Sequence, residues 1–122
     1  MRGRRIHRLG LAVTLAVACA SVLIMSRSPA RADFAGCDVV EVAVWTRISA
    51  RIHVLCNQTV LGNVKFFAIS ASDPDASRIE SLATSALVAK RPLSIDFNPD
   101  PAGNPPGCAP DNCRRIEAAF LR

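Results

Sequence analysis

"VVEVAVWTRISARIHVLC", Val39 to Cys56, reads as two short strands around a turn. Val40, Val42 and Val44 alternate with Glu41 and Ala43, and Ile52, Val54 and Cys56 alternate with Arg51, His53 and Leu55. A hydrophobic period of two marks a strand with one buried face. The connection "TRISA" is short, so the two strands are expected to pair as a hairpin. A turn centred on Thr46 and Arg47 sets Cys37 opposite Cys56 at the open end, and a shifted turn still keeps them near. If Val40, Val42, Val44, Ile52 and Val54 point inward, then Trp45, Arg51 and His53 point outward and Arg47 lies in the turn.

The rest of the chain extends this pattern. "VKFFAIS", Val64 to Ser70, is rich in aromatic and β-branched residues and predicts a third strand. The period then changes. Asp73 is suited to cap a helix, with Pro74 at its first position and Asp75 where the helix dipole favours a carboxylate. Ile79, Leu82, Ala83, Ala86 and Leu87 form one apolar stripe, and Lys90, Arg91 and Pro92 end the helix. "LSIDFN" alternates Leu93, Ile95 and Phe97 against Ser94 and Asp96, a fourth strand. A loop with five prolines follows, from Pro99 to Cys113. "RRIEAAFL" offers Ile116, Ala118 and Phe120 as a fifth strand, although "EAA" also suits a helix. The expected fold class is mainly β with one α-helix, in the order β-β-β-α-β-β. That is the order of a five-stranded OB-like barrel.

The N-terminus is of another kind. "MRGRRIHR" precedes an apolar run from Leu9 to Met25, which is followed by "SRSPARAD". Basic, then apolar, then small residues around an A-x-A site is the order of a secretory signal peptide. Residues 1–32 are therefore expected to be removed after Ala32, and residues 33–122 to form a single OB-like domain, secreted or periplasmic, with no membrane span in its mature form. The run of 17 residues falls short of the roughly 20 that a spanning helix needs. Six of the fifteen Lys and Arg residues lie in residues 1–32 while all ten Asp and Glu residues lie in residues 33–122, leaving the mature chain at net charge −1. The high overall pI thus belongs to the leader. A nucleic-acid partner is not expected, because phosphate binding calls for a basic surface.

Cys37, Cys56, Cys108 and Cys113 remain after Asp33. Four cysteines in a short exported domain read as two disulfides, with three connectivities open. The hairpin favours Cys37 with Cys56. "CAPDNC" favours a local clip, Cys108 with Cys113, in a turn that Pro110, Asp111 and Asn112 already promote. The competing reading is a zinc loop. It lacks a nearby histidine, and the other two cysteines lie more than fifty residues away. No metal and no cofactor are expected.

Among candidate site residues, Trp45, Arg47, Arg51 and His53 form the expected ligand patch: an aromatic platform beside cations. A tryptophan in so small a domain is also a natural core residue, so its exposure decides whether the patch has a platform. His53 has no serine, cysteine or carboxylate at a recognisable motif spacing, and Asp73, Asp75, Asp96, Asp100 and Asp111 are read as capping or turn residues. No catalytic residue is assigned, and the protein is not expected to be an enzyme. Arg114 and Arg115 either cap the clip loop or form a solvated edge. "NQT", Asn57 to Thr59, matches a glycosylation acceptor, a pattern short enough to arise by chance.

The hairpin, the strand and helix entry "VKFFAISASDPDASRIESLATSAL", the strand "LSIDF" and the closing "GCAPDNCRRIEAAFL" together resemble small exported bacterial proteins of mostly uncharacterised function. Those are similar to the B subunits of pentameric AB toxins, that of subtilase cytotoxin in particular. The resemblance rests on element order and hydrophobic pattern. It implies an OB-like barrel, a homo-oligomer and a glycan ligand, and leaves open a toxin-like A-subunit partner. The sugar-contacting residues of those subunits have no matched positions here. The expected function is accordingly a small non-enzymatic binding module for a glycan or protein ligand, and the alternative is a structural or inhibitory periplasmic protein acting by surface contact.

Overall fold

The structure is a computed structural model that describes residues 33–47 and 49–122. The expected leader, residues 1–32, lies outside the described residues. The fold is mainly β, with β1 Asp33–Cys37, β2 Val39–Trp45, β3 Arg51–Cys56, β4 Phe66–Ser70, α1 Ala76–Ala89, β5 Leu93–Phe97 and β6 Cys113–Leu121, plus one 3-10 turn, Pro101–Gly103. The strands form one six-stranded mixed sheet in the order β1-β5-β6-β4-β3-β2. Only the pairing of β4 with β6 is parallel; the other ladders are antiparallel. The sheet is open, with β1 and β2 at its two edges. Those edges are consecutive in the chain, joined by Asp38 alone.

Six strands replace the five expected. The additional one, β1, pairs along β5 from Asp33↔Phe97 to Cys37↔Leu93. Its sequence, "DFAGC", contains Gly36 and no β-branched residue. The ladder forms because β5 offers a free edge, a tertiary cause that local propensity does not report.

The inward set of β2 also differs from the expectation. Val39 pairs with Cys56 and Glu41 with Leu55, so Val40 is a bulge with no partner. A bulge shifts the alternation by one residue. Val39 is buried, Val40 is exposed and Val42 packs against the core from the side; Val44 keeps the face of Val42, opposite Ile52, but is exposed at the end of the edge strand. The same happens in β6. Ile116 pairs with Phe97 and Ala118 with Asp96, leaving Glu117 extra, so Phe120 faces solvent while Ala119 packs on the core.

The core lies between one face of the sheet and α1. Phe67, Phe97, Leu93, Ile95, Ile116, Val54 and Val64 are almost fully enclosed, and Phe67 and Phe97 meet edge to face at 5.2 Å. Ala76, Ile79, Ala83 and Ala86 are the helix residues buried against them. The N-cap is Asp75, two positions later than expected, with no side-chain bond to the helix. Asp73 instead accepts from the backbone N–H of Asp75 at 3.0 Å, a local turn that competes with capping. At the other end Lys90 takes a left-handed conformation, and the N–H groups of Lys90 and Arg91 both return to the Ala86 carbonyl. Cys37 and Cys56 are joined within this core.

Candidate functional site

The opposite face of β3 and β4 is covered by the clip. Cys108 and Cys113 are joined, and with Ala68 they form a second buried cluster against which Phe66 packs. Cys113 opens β6 at the register position of Phe66, and Ala68 stands opposite His53. Backbone bonds tie the loop down: Lys65 N–H and Phe66 N–H both donate to the Asn112 carbonyl, at 3.0 and 3.1 Å. The Asn104 side chain donates to the Cys113 carbonyl at 2.9 Å and accepts from Arg115 N–H at 3.0 Å. Arg114 caps the clip, donating from Nη1 to the Pro110 carbonyl at 2.7 Å and from Nε to the Pro99 carbonyl at 3.0 Å. Arg115 pairs loosely with Asp73 and Glu117 at the surface.

Under this loop, three of the four expected site residues come together. Trp45 and Arg51 are register partners at the closing end of the hairpin, and His53 follows on the same face of β3. Trp45 is 49% exposed, so it is not core. Arg51 was expected to face solvent; it is only 8% exposed, because Gly107 of the clip lies on it. The guanidinium is held between the Trp45 ring, 5.2 Å from its centroid, and the Gly107 backbone. A Cβ at Gly107 would fall on the guanidinium carbon, and the positive φ of 86° there is itself open mainly to glycine. The Ser49 hydroxyl fastens turn to clip by donating to the Pro106 carbonyl at 2.8 Å.

Arg51 Nε donates to His53 Nε2 at 2.7 Å, and Nη1 donates to the Ser49 carbonyl at 3.3 Å. An acceptor at Nε2 requires neutral His53 with its proton on Nδ1. Burial first, and the Arg51 charge second, hold the His53 pKa below its ordinary 6.5. The imidazole lies between Trp45, at 6.1 Å, and Phe66, at 6.3 Å.

These residues line a cavity of about 270 Å³, whose wall is Trp45, Phe66, Gly107 and Ala109 and whose polar groups are Arg51, His53 and Asn112. A second hollow of about 480 Å³ opens on the other side of Trp45 and includes Thr46 and Arg47. Arg47 is exposed and belongs to this outer hollow rather than to the pocket. Phe66, Gly107 and Asn112 were not legible as site residues. Phe66 carries only a strand signal, and the clip's role depends on where the loop docks. Among the described residues no three His, Cys, Asp or Glu side chains are grouped to hold a metal ion. No helix among the described residues is long and apolar enough to cross a membrane.

In comparisons with known proteins, no family model, no curated protein and no solved structure matches the chain.

Proposed function

We propose that this chain is a small exported binding module, non-enzymatic, that takes a glycan or protein group on the face formed by Trp45, Arg51, His53 and the clip. The observation that carries this is the half-exposed Trp45 at the mouth of a pocket whose polar groups converge. Binding sites combine apolar walls with a few placed polar groups in this way. The two disulfides support folding in an oxidising compartment, in keeping with the leader-like residues 1–32.

An OB-like barrel fits the same reading. A single long strand bent at Asp38 accounts for β1 and β2 lying at the two edges of the sheet. The parallel pairing of β4 with β6 and the helix between β4 and β5 suit that topology. In OB barrels the exposed face of the early strands is the usual ligand surface, and the Trp45 site lies there. The likeness to toxin B subunits remains part of this proposal, and a ring of subunits is its corollary.

The test is a glycan array probed with the exported protein and its Trp45→Ala variant, beside a measurement of native mass. The expected result is a bound glycan class, lost in Trp45→Ala while the thermal midpoint moves little. An array silent for wild type overturns the glycan form of the reading. If Trp45→Ala unfolds the protein, with the loss of about 3 to 5 kcal/mol typical of a buried aromatic, the site falls with it. A monomeric mass overturns the ring.

A further inference from the structure

Arg51 carries a buried charge with no acidic partner. Among the described residues the ion pairs are Arg78 with Asp75 and Arg115 with Asp73 and Glu117, none of which reaches it. Burying a cation is costly unless it is paired and hydrogen-bonded. Arg51 meets this cost with two hydrogen bonds and with Nη atoms that are not sealed off: among the described residues the only enclosed side-chain polar atom without a partner is Asp96 Oδ1. Of the five guanidinium N–H donors, the single one on Nε goes to His53 and one on Nη1 goes to Ser49. The donors left, all on the two Nη atoms, have no acceptor among the described residues. His53 matters here, because by accepting from Nε it leaves the Nη end of the fork with a single bond, the one to Ser49.

We propose, on the reading that this face is the binding site, that the pocket takes a carboxylate carried on a ring, its two oxygens accepting from the Nη donors of Arg51 and its ring resting on the wall that Trp45, His53 and Phe66 form together. Charge decides the group, because a planar guanidinium fork matches a carboxylate in two parallel hydrogen bonds. Size decides the body. A cavity of about 270 Å³ holds little more than one ring with its substituent. Gly107 lies on one face of the guanidinium, and a side chain there would push the group out of its position, so the glycine fixes where the Nη edge points. Asn112 adds a neutral polar group to the wall, which avoids the repulsion an aspartate would bring.

A titration followed by NMR of the protein tests this with four probes: benzoate, its neutral counterpart benzamide, glucuronate and its neutral counterpart glucose. The readouts are the Trp45 indole and the His53 ring, the only histidine and the only tryptophan after Asp33. At least one carboxylate should saturate at millimolar concentration, about tenfold or more tighter than its neutral counterpart, as expected for a hydrogen bond to a charged group. Bound carboxylate should also raise the His53 titration midpoint, which a merely structural Arg51 would leave in place. Benzoate against glucuronate separates an aromatic acid from an acidic sugar. Arg51→Lys should weaken the carboxylate and spare its neutral counterpart. Asn112→Asp, which leaves the Arg51 contacts intact, should do the same through repulsion. Equal binding of acid and neutral partner, or carboxylate binding unchanged in Asn112→Asp, overturns the inference while the site itself stands. A silent titration with all four probes overturns it as well, and an array hit on neutral sugars through Trp45 would then leave the binding reading intact.

Discussion

Cys37–Cys56 and Cys108–Cys113 are both buried, yet they lie on opposite faces of the same sheet. The first closes a span of 19 residues inside the main core, tying the end of β1 to the end of β3 beside Val39 and Val54. The second closes a span of 5 residues, and its neighbours are Ala68, Phe66 and the pocket. One bridge joins strands that carry the core. The other holds a loop in place over a cation. Position in the fold therefore gives the two bonds different consequences, although each joins two enclosed cysteines.

Removing each bond in turn tests this contrast. Cys37→Ala with Cys56→Ala should have the largest effect, about 3 kcal/mol from loop entropy in the chain-entropy model, with a further loss from the emptied core. Urea denaturation at neutral pH would measure it, and retained probe binding in the surviving folded fraction would show that this bond serves stability. Cys108→Ala with Cys113→Ala should cost less, about 2 kcal/mol or under for so short a span, and should abolish ligand binding because the pocket wall is released. If the clip variant instead binds normally, the clip is no part of the site.

Gly107→Ala sharpens the comparison without touching sulfur. A non-glycine residue at that positive φ costs about 1 to 2 kcal/mol, and its Cβ displaces the Arg51 guanidinium, so binding should fall together with a modest drop in thermal midpoint. The smallest effect is expected from pH. The fold keeps His53 neutral below its ordinary pKa, whereas the unfolded chain takes up a proton there. The His53 contribution is thus fully present above about pH 6.5 and is lost progressively as the pH falls from there toward the lower folded value. A denaturation series across mildly acid pH should show wild type losing stability more steeply than His53→Gln. Parallel curves would mean that the Arg51 to His53 hydrogen bond contributes nothing.

Much of the fold was legible because strands and helices announce themselves through local periodicity. The strands around Val54, Phe67, Ile95 and Ile116 follow their patterns, and the helix buries Ile79, Ala83 and Ala86 as its stripe requires. Both cysteine pairings were legible for a related reason: each joins positions that a hairpin or a tight turn already brings together. Where the pattern misled about which way Val40 and Phe120 face, a single inserted residue was responsible. The bulge turned Val40 outward, and Glu117 did the same to Phe120; Val44 keeps the face of Val42, opposite Ile52, and is exposed at the far end of the edge strand. Strand β1 was invisible because its sequence is unremarkable and its partner lies some sixty residues on.

The sequence by itself determined five of the six strands and the helix, which cysteines are neighbours and that Trp45, Arg51 and His53 share a face of the hairpin, since all of these follow from spacing along the chain. Only the tertiary structure decided that Arg51 is buried, that Phe66 and Asn112 belong to its pocket and that Gly107 must be a glycine. The physical reason is that burial is set by whatever covers a residue. Here the cover comes from a loop far along the chain, fastened at Ser49 to Pro106, 57 positions away. Periodicity in a strand of six residues carries no information about such a loop.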